Sequence, residues 1–466
     1  MQHRARTSVK MEESSSSSPM KDNSRSFLQS WTGRKEFTIA QLKVVAILGI
    51  AIIGDRWKPS YPRNDNHNMP LFWIGHAVLL VLTIATWKHT PPRDPSSTRI
   101  TLLSRPQTEE WKGWMQFAFI MYHYYRAWSA YNFIRVFVSS YVWMTGFGNF
   151  LYFDKKKDFS IERIVSMCIR INYFPLLLSW ATGVSLELYY VVPLHTEGFF
   201  MTLITCYVAI KLESRPGMTY WKSRITAILL CLAVHVAFFE TRAVDSLNFF
   251  FGHEISFRFQ ADKYSAWIGI VCGLLMQKAS EYMSWAYGTI DRPQVAWAQR
   301  FLVVGLISLW YFKFGYLSEK IDYNAMHPYV FVIALLGWLM VRNSSKYLTE
   351  CHSTFLEFLG KNTLETYVLQ FHLFMNHKVQ EIPIVIPGSG PDGHVMLKIL
   401  NMLLCGTIFV SVAVLARKVT VSTQIAATEL VTLTKKKCSG EVEEEEDDDD
   451  IEESEMKSMV VKGEAA

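Results

Sequence analysis

Several ionisable residues sit inside stretches of this chain that are otherwise too apolar for water. The segment LGKNTLETYVLQFH (359–372) carries Lys361, Glu365 and His372. At ~100° per residue on a helix, these three fall within roughly 40° of one another, while Leu364, Tyr367, Val368 and Phe371 take the other side. His372 is a candidate general base, with Glu365 placed to orient or tune it from the same face. His123 in FIMYHYYRAW and His195 in VVPLHTE are further candidates for acid–base work. Arg135 and Asn132 in YNFIRVFVSSYVW, with Arg258, Asp262, His327 and Lys361, are candidates for holding a polar substrate. An ionisable side chain in hydrocarbon costs several kcal/mol unless it faces protein or water, so each marks either function or an interhelical hydrogen bond. For any single residue both explanations stand. His235, alone on the apolar face of LAVHVAFF, reads as structural.

Other chemistries lack support. No HxxxH or HExxH spacing occurs, so no metal is expected. No GxSxG elbow, GxGxxG or P-loop is present. The seven cysteines are odd in number and show no CxxC, and most lie in apolar runs as small buried hydrophobes.

The elements that must position these residues are helices in a bilayer. Of 466 residues, 50% are hydrophobic and only 19% charged, against about a quarter charged in soluble proteins. Runs long enough to cross ~30 Å of hydrocarbon recur through the middle of the chain, among them 37–54, 131–151, 173–192, 354–374 and 395–416. The fold class is an all-α polytopic membrane protein with about 12 transmembrane helices, whose first partner is the lipid bilayer. No nucleic-acid partner is expected. Residues 1–36 form a polar leader expected to be disordered, and 37–109 hold two spans and a linker. Residues 110–418 hold the remaining spans, and 419–466 form a basic, then acidic, tail. Within that tail, residues 441–466 carry 13 acidic and 2 basic residues. The rest of the chain is therefore strongly basic.

Basic residues orient the spans. They crowd the leader, the segment 154–164, the segment 211–224 and the end of the last span, which are expected to face the cytoplasm together with both termini. The opposite loops are poorer in Lys and Arg and richer in His and aromatics, which points to a polar cavity on that side. Lys155, Lys156, Lys157, Arg163 and Arg170 surround DFSIERIVSMCIRIN, read as an interfacial helix. Anchoring to anionic lipid explains such a patch, and so does binding the phosphates of a cytosolic nucleotide-bearing donor.

Several strings occur together in order: YNFIRVFVSSYVWMTGFGNFLYF, DFS, RINYF, YYVVPLHT, FRFQADKYSAWIGI, NAMHPY, RNSS and LGKNTLETYVLQFH. From about residue 110 to 418 the chain closely resembles the ten-transmembrane glycan O-acetyltransferase family. That family includes the plant reduced-wall-acetylation proteins, the fungal capsule O-acetylation protein and animal sialate O-acetyltransferase. Ten family spans and two upstream ones recover the twelve counted from hydropathy. The resemblance implies a Golgi-membrane enzyme that draws acetyl groups from cytosolic acetyl-CoA and places them on luminal polysaccharides or glycans. Fungal and animal members carry a luminal SGNH-type domain ahead of the spans. Here the loop between the first two spans is about fifteen residues, too short for a domain. The chain thus looks like the plant arrangement, beside separate luminal acetyltransferases. It either transfers acetyl itself or supplies acetyl to those enzymes as a transporter.

Overall fold

A computed structural model describes residues 31–90, 102–241, 245–287 and 293–439. The expected disorder of the leader up to residue 30 and the acidic stretch after 440 lie outside the described residues. The helices are α1 (Trp31–Asp55), α2 (Met69–Ala85), α3 (Arg105–Tyr124), α4 (Tyr131–Lys156) and α5 (Ile161–Thr182). Next come α6 (Val191–Glu213), α7 (Tyr220–Phe239), α8 (Asp245–Asp262), α9 (Ser265–Tyr287) and α10 (Pro293–Trp310). The last are α11 (Lys320–Arg342), α12 (Lys346–Glu350), α13 (Thr354–Lys361), α14 (Thr363–Leu369) and α15 (Val395–Ser439).

Six of the described helices (α1, α5, α6, α7, α11 and α15) are long and apolar enough to cross a bilayer. Their outer faces leave large apolar side chains uncovered, such as Val45 at 67% and Trp180 at 81% exposure, as lipid-facing surfaces do. This is a multi-pass helical membrane protein. α3 and α4 are less apolar because they bury polar groups inside the bundle, Glu110 and Gln116 on one and Asn132 and Arg135 on the other.

Two short antiparallel strand pairs tie the chain's loops together. β1 (Ser60–Pro62), between α1 and α2, pairs with β4 (Glu381–Pro383). β2 (Trp87–His89), after α2, pairs with β3 (Cys351–Ser353). They mark opposite ends of α2, here the β1 end and the β2 end. At the β1 end Lys58 Nζ lies 2.7 Å from Glu381 and Ser60 also donates to it, holding that carboxyl below the usual range.

Close helix contacts come from glycine. A Cβ on Gly360 of α13 would strike the Glu109 carbonyl of α3, and one on Gly113 of α3 would strike the Leu356 carbonyl. Gly146 of α4 and Gly269 of α9 meet in the same reciprocal way, through the carbonyls of Ala266 and Trp143. Such small-residue contacts replace the hydrophobic drive that lipid removes. Gly360→Val is expected to lower the yield of monodisperse protein in detergent severalfold, whereas Gly49→Val, at a position with open space, leaves it unchanged.

Four expectations about elements are corrected. The expected interfacial helix and the first half of the span 173–192 are one helix, α5, started by Ser160 capping Arg163 N and ended at Gly183 with φ 68°, while the rest of that span is a turn leading into α6. The apolar run 395–416 does not stop there. α15 continues to Ser439 because Gln41 Nε2 reaches Thr423 (2.9 Å) and Gln424 Nε2 reaches Ser166 (2.7 Å), so 419–439 is not a free tail. Residues 31–36 of the expected leader are helical. The segment 241–264, expected as one of the loops opposite the basic side, contains α8, kinked at Gly252 (φ 80°, ψ 167°).

Candidate active site

The segment 354–374 is not one helix. It breaks at Asn362 (φ −105°, ψ 18°), between α13 and α14, and ends in a π-helical turn at Gln370–Phe374. Lys361, Glu365 and His372 share no partner on either side of the break. Lys361 is exposed and pairs with Glu357 at 2.6 Å. Glu365 is buried and pairs with Arg170 at 2.6 Å. His372 is buried, with Nε2 bonded to the Tyr189 hydroxyl and Nδ1 3.2 Å from Asp55. Glu365 therefore does not orient His372.

A cavity of about 560 Å³ opens at the β1 end. Its wall takes His123 from the last turn of α3, Arg135 from α4 and Arg258 from α8, with loop residues Arg63, Glu187 and Lys378. Aromatic rings hold these cations in place. The Arg258 guanidinium carbon lies 4.4 Å from the Tyr190 ring centre, and Lys320 Nζ lies 4.7 Å from that of Tyr131. Such contacts fix a charge without neutralising it. His123 packs edge-on against Phe119, Tyr122 and Phe371, with centroids 4.6, 5.1 and 6.0 Å away. Its Nδ1 is buried and has no hydrogen-bond partner. A ring so clamped in the wall of this cavity can accept a proton from a hydroxyl bound beside it.

Behind the cavity wall lies a closed polar network. Arg135 Nη2 donates to Asp262 at 2.8 Å, and Ser139 Oγ sits 2.5 Å from Asp262 and 2.6 Å from His327 Nε2. His327 Nδ1 is 2.9 Å from the Tyr323 hydroxyl. Serine, histidine and aspartate are the types of a hydrolytic triad, yet their order is wrong for one. The carboxylate faces the serine, while His Nδ1 faces a tyrosine. Ser139 is 0% exposed, so the network holds α4, α8 and α11 together rather than attacking a substrate.

The family described as "10 TM Acyl Transferase domain found in Cas1p" matches residues 1–441. The chain belongs to this acyltransferase family. It is similar to N-acetylneuraminate (7)9-O-acetyltransferase of Danio rerio, 28% identical over 342 residues, or 68% of the chain. The matched part spans 42% of that relative's length. No solved structure matches.

In this acyltransferase-family chain, the cavity unites only some of the residues singled out from sequence. His123, Arg135 and Arg258 line it, with Asp262 and His327 directly behind. Asn132 is occupied elsewhere, donating to the carbonyls of Phe314 and Ser318 and so fixing the π turn Tyr311–Tyr316. His195 sits 2.5 Å from Thr145 Oγ1, away from the cavity wall. His235 bonds the Lys263 carbonyl at 2.8 Å among aromatic rings, as a structural histidine does.

At the β2 end, the basic set divides. Arg163 lies 4.0 Å over Tyr152, Arg170 is held by Glu365, and Lys157 approaches Glu213 at 3.9 Å. Lys155 and Lys156 are exposed at the last turn of α4. Among the described residues, no group of three His, Cys, Asp or Glu side chains converges as a metal site would.

The cavity cations missed from sequence are Arg63, Lys320 and Lys378. All three lie at the β1 end, in connecting segments or at a helix start, outside the long apolar runs. For Arg63 and Lys320 the neighbouring aromatics, Trp128 and Tyr131, were the usable signal.

His372→Ala is expected to act on stability. It strips a buried tyrosine hydroxyl and Asp55 of their partner, which costs about 1–3 kcal/mol. The thermal midpoint in detergent should fall while turnover per folded molecule stays within a few-fold of wild type. Turnover lost from well-folded protein would instead place His372 in the chemistry.

Proposed function

We propose that the chain is a membrane-embedded O-acetyltransferase that uses cytosolic acetyl-CoA to acetylate hydroxyls of polysaccharides or glycans in the Golgi lumen. The β1 end faces the lumen, and both termini face the cytoplasm. The observation that carries this reading is His123, a clamped histidine without a partner at Nδ1, in the wall of a cavity lined by several charged side chains. It lies at the end opposite the basic terminus of α4. The acceptor hydroxyl binds in the cavity and its oxygen attacks the acetyl carbonyl. His123 takes the hydroxyl proton as the new C–O bond forms. The carbon–sulfur bond to coenzyme A breaks, and the proton leaves with the thiolate as the thiol. Exposed Lys155 and Lys156 supply charge for the donor's phosphates, whereas Arg163 and Arg170 are already engaged.

The test is purified protein reconstituted in sealed vesicles, with labelled acetyl-CoA outside and glycan inside. Acetyl on the glycan is the expected result. Acetyl-CoA delivered inside without transfer would favour a carrier that supplies separate luminal acetyltransferases. An epitope placed at Gly388, in the β1-end loop after β4, should be protected in sealed Golgi vesicles. Exposure there would reverse the two ends.

A further inference from the structure

Five cations line the cavity, Arg63, Arg135, Arg258, Lys320 and Lys378, against two carboxylates, Glu187 and Glu254. Two of the cations already have partners. Arg135 is paired through Nη2 with Asp262, and Arg258 contacts Glu254 through Nε and Nη2 at 2.8 and 2.5 Å. The cavity still carries a positive excess from Arg63, Lys320 and Lys378, opposed by Glu187 alone.

Arg135 has a second property. It is 2% exposed, yet its Nε and Nη1 have no hydrogen-bond partner. Buried guanidinium donors are seldom left unpaired, because the desolvation cost is not recovered. Asp262 does not satisfy them, since it meets this guanidinium through Nη2 alone. What would satisfy them is an anion arriving from the cavity that Arg135 lines.

We infer that the cavity contains a carboxylate subsite, built by Arg135 and Arg258 of its wall, which selects acidic sugars as acceptors. A planar carboxylate takes parallel hydrogen bonds from one guanidinium edge, the geometry in which arginine surpasses lysine. Glu254 holds Arg258 at the rim and is itself exposed, so an incoming carboxylate can share that guanidinium. The loop cations Arg63, Lys320 and Lys378 act by attracting the anion into the opening. Holding the carboxylate fixes the sugar ring and thereby which hydroxyl reaches His123. This inference rests on the acceptor role proposed for the cavity, and its test separates the two.

The probes are a uronic-acid oligosaccharide and the same oligosaccharide after reduction of its carboxyls to alcohols, with a sialyl oligosaccharide and its carboxyl-reduced form as a second pair. Binding to the full-length protein in detergent and acetyl transfer in vesicles are both measured. The acidic member of a pair is expected to bind at least ~10-fold tighter. Arg258→Met should shrink that ratio towards one by raising the KM for the acidic member, and Arg258→Lys should restore only part of it. Lys378→Gln, on an exposed loop, should weaken the preference less and make it more sensitive to salt, which guards against a folding artefact at Arg258. Acid-selective binding without transfer supports the subsite and overturns the transferase reading. Transfer with equal use of acidic and reduced acceptors, or an Arg258→Met variant that keeps the wild-type ratio, overturns the subsite.

Discussion

His123→Ala lowers glycan acetylation by about 10²–10⁴-fold, the worth of a positioned general base. Four observations combine in this expectation. The ring lines a cavity that also takes several charged side chains, and its Nδ1 has no partner. Three aromatic rings clamp it. The rival histidines are engaged elsewhere, His372 with Tyr189 and Asp55, and His195 with Thr145. The loss should appear in single-turnover transfer by protein that elutes as wild type and still binds the acceptor. His123→Gln, of similar volume but unable to act as a base at neutral pH, should be equally slow. A variant that folds, binds acceptor and transfers at the wild-type rate would remove the cavity from the chemistry.

Arg135→Met destabilises the protein by about 3–5 kcal/mol, because it leaves Asp262 charged and buried without a counterion. Arg135 and Asp262 are 2% and 0% exposed at the side chain, and Asp262 also anchors Ser139 and through it His327. One substitution therefore loosens α4, α8 and α11 together. The double variant Arg135→Met with Asp262→Leu should recover much of the loss, since an apolar pair of similar volume carries no desolvation cost. Thermal unfolding of the four proteins in one detergent gives the coupling directly. Additive losses, with no recovery in the double variant, would show that the ion pair is not what holds these helices.

The helical membrane class was legible because hydrocarbon imposes its length on any segment that crosses it. Runs such as 37–54 and 395–416 could be read one at a time. The same logic flagged His123, Arg135 and Asp262, since an ionisable residue in an apolar run needs a local explanation. Periodicity failed at 354–374. It assumes an unbroken helix, and Asn362 breaks this one where Gly360 must approach α3. Composition failed after residue 418, because a less apolar sequence can continue as helix when a neighbour covers it, as α1 and α5 cover α15.

Sequence by itself determined which residues had to leave lipid, and it determined the family. It did not determine their partners. Arg170 was assigned to a donor site and Glu365 to a catalytic helix, yet the two form one ion pair across 195 positions. Arg135 and Asp262 meet across 127 positions. A helical repeat states which face of one helix is polar, but not which other helix that face meets or at what height. Those relations are set by packing among many helices at once, where glycine contacts fix the spacing and buried charges must find counterions. Only the tertiary structure could decide that His123, and not His372, stands at the cavity.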